Sequence, residues 1–577
     1  MNVIGIIPQY PDHSKQNIYG RVRMPPVGII SVLSQLGERF DVYAIDENNY
    51  AGPDNEITGT PDHAFLQKVK PAKIAMLYGG MSNSVPRLFT LAKQYKEFGA
   101  VTIAGGSHVD ALPEEALRSG IDVVVHGEGE YSTQEILETI VDDGGAHLDR
   151  DALSGIAGIS YLDDKGQHVF TGKRAPIEDL DALKSVDLMM FRFLHKKWTA
   201  IPINRGRGCN WNCEFCVVRS QYGKFKARSV ERVLEEIMGY YDLGYKQFFF
   251  TDDNFAQNEE ETVHLCKLIG DFKRKKGKRI GLTVQVRSEI ARNDRLIDAM
   301  KYAGVRILAI GYESPINEDL KAMRKGVTVE KLVRRSRKLA KDFYLHGMFI
   351  FGYPSDAATG LSLHQKARAY SRFFKKARLD TVQVLNAVPL PGSDLRARLE
   401  REGRILPQEA VGWDRYDGLF LCYVPEKGVD PLKLQSLARN LMRRAYLGSP
   451  VGRTLNYGNW MRFLYYSTIG FPVKLGSHYV ESFLHSLERR RRRMLSQQES
   501  PFPEPSILTE PLSGTMWGIV RDWRNLIVKT LGGGIVDRWY KAYHSSEYNR
   551  NLREIFSSGA SQALIAVKSM RDEDGHQ

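Results

Sequence analysis

The chain has 577 residues, of which 42% are hydrophobic and 26% charged, an ordinary globular composition spread over about two to four domains rather than one core. It lacks any run of about 18 uncharged apolar residues, and its start, MNVIGIIPQYPDHSKQ, has neither the basic region nor the small-residue cleavage site of a signal peptide. Most of the formal charge of +13 falls on residues 431–577; nucleic acid, an anionic membrane surface and an acidic substrate all suit such a tail, and charge does not choose among them.

The first 145 residues alternate strand and helix. VIGIIP (3–8), DVYAID (41–46), KIAMLY (73–78), VTIAGG (101–106) and DVVVHG (122–127) are expected as buried strands. PPVGIISVLSQLG (25–37) and VPRLFTLAKQYKEFG (85–99) have helical spacing and end in glycine, a common helix stop. Such alternation implies a Rossmann-like parallel sheet covered on both faces, with its Gly-rich strand ends on the ligand-binding edge. Residues 146–195 are less regular: ISYLDDKGQHVF reads as a hairpin and PIEDLDALKSVDL as linker.

From residue 196 to about 400 the rhythm returns. PINRG (202–206), QFFFTDD (247–253), GLTVQVR (281–287), ILAIGYE (307–313), GMFIFGYP (347–354) and TVQVLNAVP (381–389) are six expected strands separated by amphipathic helices such as VERVLEEIMGYYDLG (230–244). Six βα units imply an incomplete, open relative of the TIM barrel, with its site at the carboxyl ends of the strands. Residues 401–577 read as mostly helical and basic. They contain the five-arginine run Arg489 to Arg493 and aromatic, apolar stretches flanked by Lys and Arg. Two readings stay open for this region: helices lying on an anionic membrane surface, or a helical cap packed on the barrel with its arginines in water. No nucleic-acid-binding motif accompanies the charge.

Five cysteines cannot form a disulfide framework in a chain of this length, and three of them, Cys209, Cys213 and Cys216, stand at Cys-x3-Cys-x2-Cys spacing after the first barrel strand. In a reducing compartment, with the cytoplasm expected, such clustering points to a metal site or catalysis. Three thiolates on one loop can hold three corners of a 4Fe-4S cube, leaving the fourth iron open. Structural zinc is the competing reading, but it wants four closed ligands and no nearby Cys or His completes the set. Cys266 and Cys422 are isolated and read as packing residues.

The segment RGCNWNCEFC resembles the signature of the radical S-adenosylmethionine (SAM) superfamily, with Phe215 in its aromatic slot. The resemblance runs through residues 200–400. It implies that SAM chelates the open iron, that the cluster's electron cleaves the sulfonium to a 5′-deoxyadenosyl radical, and that a reductant such as flavodoxin or ferredoxin feeds the cluster. It places Asp252 and Asp253 of TDDNF near the SAM amino group, Arg287 near its carboxylate, and Glu313 of GYES, which precedes LKAMRKG, at the ribose or substrate. FGYP (351–354) and VPLPGSDL (388–395) resemble the ends of the last two strands.

PPVGIISVLSQLG, GGSHVDALPEEAL (105–117) and DVVVHGEGE (122–130) are similar to the cobalamin-binding domain that precedes the barrel in B12-dependent members. The resemblance implies an α/β chain with an N-terminal Rossmann-like cobalamin-binding domain (1–145), a linker (146–195), a partial (β/α)6 TIM-type radical SAM barrel (196–400) and a helical C-terminal region (401–577). Close backbone approach to a planar corrin needs glycine, so Gly105 and Gly106 are expected at the corrin and Ser82 and Ser84 beside its nucleotide tail; Glu128 of the GEGE turn is a further cofactor candidate from its place after the fifth strand, or, with Glu130, simply favours the following helix start. The Asp-x-His-x-x-Gly motif that supplies a cobalt-binding histidine is absent; His13 and His63 follow an Asp directly, and His108 and His126 read as loop or strand-end polar residues.

The function implied is methylation of an unactivated carbon, using SAM, a 4Fe-4S cluster and cobalamin, on a small molecule that is hydrophobic or lipid-like if the tail touches membrane. A cyclase or other non-methylating bond-forming enzyme, and a non-catalytic cobalamin or metal sensor, remain as alternatives.

Overall fold

The computed structural model describes residues 1–12, 23–55, 59–142, 146–195, 198–275, 277, 279–355, 359–447, 471–496 and 509–544. Five apolar runs form parallel strands: β1 (Asn2–Ile7), β2 (Asp41–Asp46), β3 (Ile74–Tyr78), β4 (Val101–Gly105) and β5 (Val123–Val125). They read as continuous apolar runs because both faces are covered. On one face Val3, Ile74 and Ile103 pack with Ile30 and Leu33 of α1 (Val27–Gln35) and Ile136 of α3 (Glu130–Glu138). On the other, Ile4, Ala75 and Ala104 pack with Leu88 and Leu91 of α2 (Val85–Glu97). The order β2-β1-β3-β4-β5 reverses between β1 and β3, where an open α/β sheet leaves a crevice at its carboxyl edge.

Residues 146–195, expected as a linker, extend this sheet. β6 (Ile159–Leu162) pairs antiparallel with β5, and β7 (His168–Phe170) completes the hairpin, satisfying backbone groups that β5 would otherwise leave open at an edge. The chain then returns along β2, where Phe191 bridges Ala44 and the Arg192 N–H donates to the Ala44 carbonyl at 2.9 Å.

All six later strands form: β8 (Ile201–Ile203), β9 (Gln247–Phe250), β10 (Gly281–Val286), β11 (Val305–Glu313), β12 (Tyr344–Phe351) and β13 (Thr381–Asn386). They make one sheet in chain order, parallel at every pairing. The connections carry α4 (Val230–Asp242), α5 (Glu259–Lys275), α6 (Asp294–Ala303), α7 (Val329–Leu339) and α8 (Leu363–Lys376). Their ends follow local chemistry. Ser362 and Gln365 form a reciprocal capping box on α8, which satisfies two N–H groups a helix start leaves open, and Gly304 stops α6 at φ 98°, a left-handed turn that favours glycine.

Three helices follow: α9 (Pro431–Leu447), α10 (Phe471–Ser496) and α11 (Thr509–His544). α9 covers the free edge of β13: the Tyr446 hydroxyl accepts from the Val382 N–H at 3.2 Å and donates to its carbonyl at 3.1 Å. α10 and α11 pack together at the amino ends of β12 and β13, opposite the cysteine loop. Arg521 of α11 pairs with Asp380 at 2.6 Å, and Arg489 of α10 reaches Asp298 at 2.6 Å and Asp342 at 2.7 Å. Arg489 is thus a buried anchor and not a water-facing charge; the side chains of 490–493, like residues 448–470, lie outside the described part. No described helix is long and apolar enough to cross a membrane.

Lys301, 2.8 Å from Asp342, and Arg489 overcome the burial that would otherwise raise the Asp342 carboxyl, holding it well below its ordinary value of 3.8. Arg489→Ala is therefore expected to cost about 3 kcal/mol, as for a buried pair broken on one side, read as a lower urea midpoint. A carboxyl with a depressed folded value adds stability that is complete above its unfolded value of 3.8 and lost as pH falls towards the folded one. The difference between Arg489→Ala and the parent should accordingly shrink below about pH 4.

Candidate active site

The cysteine loop begins where β8 ends. Gly206 and Arg207 pair antiparallel with Ala227 and Lys226, and Gly208, at φ 82°, lies so close to its return strand that a Cβ would meet the Lys224 carbonyl carbon at 2.9 Å. The loop is pinned from inside by backbone bonds, Cys209 N–H to the Gly223 carbonyl at 3.3 Å and Cys216 N–H to the Cys213 carbonyl at 3.1 Å. Glu214, between two of the cysteines, pins it from outside. Its carboxylate accepts from Arg398 Nε at 2.8 Å and from the Tyr353 hydroxyl, while its backbone bonds to Met323 and Leu395.

Cys209, Cys213 and Cys216 are part-exposed, whereas Cys266 and Cys422 are fully buried. Burial pushes the Cys216 thiol up to about 11 and raises that of Cys209, so ligation there has to displace protons. Among the described residues no three His, Cys, Asp or Glu side chains converge on a single ion. Phe215 packs inward, edge to face with Tyr353 at 6.5 Å.

The strand ends bring other expected residues over this loop. Arg287, just past β10, places Nη1 3.8 Å from Cys213 Sγ, lays its guanidinium 3.8 Å over the Trp211 ring and donates to the Lys325 carbonyl at 2.7 Å. Glu313 closes β11 at a register shift with φ 62°, a conformation costing about 1–3 kcal/mol in a residue with a side chain. Its carboxylate pairs with buried Lys325 at 2.8 Å. Asp252 is buried, accepts from the Gly206 N–H and has an unpartnered Oδ2; burial raises it to about 7. Asp253 is exposed, but into a cavity whose walls exclude most water, and burial raises it to about 6.

That cavity, of about 410 Å³, lies between the two sheets at the β1/β3 reversal. One wall comes from the first sheet, with Tyr10, Tyr78, Gly80, Gly105 and Gly106; the other comes from the two flanks of the cysteine loop, with Gly206, Arg207 and Tyr222, and from Asp253 just past β9. Gly106 has φ 123°, and a Cβ there would stand 2.7 Å from the Gly79 carbonyl carbon. Gly105, Gly106 and Glu128 border the cavity. Ser82 and Ser84 do not: Ser82 Oγ lies 3.0 Å from His108 Nδ1, and Ser84 donates to the Met81 carbonyl at 2.9 Å, both buried in their own turn. The turn folds these side chains away from the cavity that its neighbours Gly80 and Met81 line.

Glu128 is not a free ligand group either. It accepts from Arg207 at 2.9 Å, Lys226 at 2.5 Å and the Ile177 N–H at 2.9 Å. Arg207 also pairs with Glu130 at 2.5 Å. Burial alone would raise the Glu130 carboxyl, but Arg207 outweighs it and, with Ser31, holds it below its ordinary value. The four charged side chains tie the two sheets together across the cavity. Sequence reading missed this network because a charge beside glycine normally faces water; the placement of Arg207 two residues before Cys209 was the available signal.

Among the described residues no histidine lines the cavity. His108 packs against Trp413 at 4.5 Å, and burial, followed by Arg396, lowers it to about 3. His126 is held by Asp110 and Ser160, and His63 by Tyr95 and Glu47; His13 lies outside the described residues.

Residues 203–356 match the radical SAM superfamily. The chain is 28% identical over 382 residues to a protein named as an uncharacterized methyltransferase of Pyrococcus horikoshii, covering 64% of this chain and 77% of that one. It is 24% identical to the bacteriochlorophyllide d C-12(1)-methyltransferase of Chlorobaculum tepidum, covering 77% and 88%. Its fold is similar to that of the cobalamin-dependent S-adenosylmethionine radical enzyme OxsB, solved with aqua-cobalamin and S-adenosylmethionine bound, at a TM-score of 0.59 and 14% identity over 94% of this chain and 83% of that one.

Arg207→Leu should lower stability by about 3 kcal/mol, because buried Glu130 loses its ion pair and Glu128 keeps only Lys226 of its two cations. Adding Glu130→Leu should restore at least half of that loss, measured as urea midpoints in a double-mutant cycle.

Proposed function

We propose that this radical SAM enzyme holds a 4Fe-4S cluster on Cys209, Cys213 and Cys216 and cobalamin in the cavity between the sheets. It uses both to methylate an unactivated carbon of a hydrophobic or lipid-like small molecule. In this reading residues 1–145, with the 159–170 hairpin, are the cobalamin unit, residues 196–400 the partial (β/α)6 barrel and residues 401–577 a helical region. The observation that carries it is the cavity between the sheets: the glycine cradle of Gly80, Gly105 and Gly106 forms one wall, and Gly206, Arg207 and Tyr222, which flank the three cysteines in the chain, stand in the other.

When bound, the cluster supplies the electron that splits the SAM sulfonium, and cobalamin carries the methyl group to be transferred. The chain's own residues bind, orient and exclude water. Arg287, a fixed cation stacked on Trp211, is placed to meet the SAM carboxylate. Asp252 and Asp253 are the acceptors for its amino group, and the free Oδ2 of Asp252 is a buried acceptor without a partner, which a structure seldom leaves unmet. Glu313, held by Lys325, faces the ribose or the substrate, and Phe215 with Tyr353 walls the cluster off on the inner side. Tyr10, Tyr78 and Tyr222 bring phenol rings to the corrin cavity in place of a histidine. The bacteriochlorophyllide methyltransferase likeness supports a polycyclic, poorly soluble substrate; a flavodoxin or ferredoxin as electron donor and peripheral contact with a membrane complete the reading.

Anaerobic reconstitution should yield about four irons and four sulfides per chain, and replacing the three cysteines by Ala should abolish both. One zinc per chain, or colourless protein unable to cleave SAM under strong reductant, overturns the assignment. With methyl-labelled SAM, label in the product supports transfer, whereas deoxyadenosine without methylated product points to a cyclase-type outcome. A corrin spectrum without SAM cleavage points to a sensor.

A further inference from the structure

α7 and α8, on the outside of the second sheet, are amphipathic in a lopsided way. Their inner faces bury Leu332, Leu339, Tyr370 and Phe373. Their outer faces, with α10, enclose a groove of about 1300 Å³ rich in arginine and lysine. The cations in it fall into two groups. Arg335, Lys338, Lys341, Arg378 and Arg489 are paired with Glu289, Asp294, Glu488, Glu481 and Asp342 and serve to hold α7 and α10 to the sheet. Arg292, Arg334, Arg337, Arg372 and Lys376 have no carboxylate partner among the described residues, and all five are exposed.

The groove does not end in polar surface. α10 carries Val473, Val480, Leu484 and Leu487 at steps of seven, four and three residues, a single face of a helix; Val473 is 71% and Leu484 59% exposed. On the neighbouring α11, Leu512, Met516 and Val520 repeat every fourth residue, and Met516 is 60% exposed. A helix pair that only capped the sheet would turn such stripes inward. Leu484 lines the groove itself, so unpaired guanidiniums and an exposed aliphatic ridge share one surface.

We infer that this surface, formed by α7, α8 and the α10–α11 pair, docks on an anionic lipid bilayer. It deepens the membrane contact proposed above by moving it from the arginine run, whose first member is a buried anchor, to the outer barrel helices. Lipid phosphates take the five free cations, and the aliphatic ridge enters the boundary between headgroups and acyl chains. A nucleic acid would use the charge but leave the ridge in water. Because Arg489 and Arg521 lock α10 and α11 to the sheet, docking orients the whole enzyme, with the cysteine loop at the far end from the lipid.

The test is sedimentation of the full-length, cluster-loaded protein with vesicles of phosphatidylcholine alone or mixed with phosphatidylglycerol. Binding is expected to the mixed vesicles only and to weaken as salt rises. The triple variant Arg334→Glu, Arg337→Glu, Arg372→Glu should weaken it by at least about 100-fold, since each cation near an anionic surface is worth about fivefold. Val480→Ser with Leu484→Ser should weaken it without changing the charge. Each variant's iron content should match the parent's, which shows that the fold survives. Equal binding to both vesicle types, no binding to either, or binding that survives charge reversal overturns the inference; so does a loss confined to duplex DNA binding. The readout needs neither SAM cleavage nor methyl transfer, so failure here and failure of the proposed chemistry are told apart.

Discussion

The pairing of Arg207 with Glu128 and Glu130 is the interaction on which the arrangement of the two sheets turns. Both carboxylates come from the GEGE turn after the last parallel strand of the first sheet, and Arg207 stands two residues before the first cysteine. Burying these charges is unfavourable in isolation, and only their mutual geometry, with Lys226 and Ser31 filling the remaining valences, offsets it. The same contact that closes the seam sets the cysteine loop facing the glycine cradle. Removing it would open the seam at the cavity, while the apolar core that runs through both sheets still joins them elsewhere.

The cysteine loop is further braced on its other side by Glu214, Tyr353 and Arg398, residues drawn from the loop, the end of β12 and the helix after β13. Loops that must present several ligands in fixed positions need such support from rigid elements. One strained residue lies at the same end: Glu313 is in the left-handed region at a register shift, secured by Lys325. The residues after β13 also reach across to the first sheet, where Trp413 donates to Glu115 at 2.7 Å and packs on His108. Chain that looks like a tail thereby becomes a second strap between the halves.

The C-terminal helices combine two jobs that composition alone confuses. Arg489 and Arg521 are internal counter-ions for aspartates at the amino ends of β12 and β13, and Tyr446 seals the edge of the sheet. The apolar stripes of α10 and α11 point the other way. Basic and apolar residues in this segment therefore divide: Arg489 and Arg521 find aspartates and build the fold, and the exposed apolar stripes give the outer surface its character.

Every parallel strand, and the place of the cysteine loop at the end of the sixth from the start, was determined by the sequence alone, because continuous burial and helix stops leave local patterns that need no distant partner. The spacing of Cys209, Cys213 and Cys216 is equally local, one loop sufficing to present three ligands. What only the tertiary structure decided are the contacts whose members are far apart in the chain. The hairpin at 159–170 joins the first sheet because β5 offers an open edge, which no local pattern records. Ser82 and Ser84 turn away from the cavity because their turn packs on His108. Glu128, named from the sequence as a cofactor candidate, is clamped because Arg207 and Lys226, some 80 to 100 residues later, reach it. A charged side chain carries no mark in the sequence of whether it will meet water or its opposite, since that depends on which surfaces folding brings face to face.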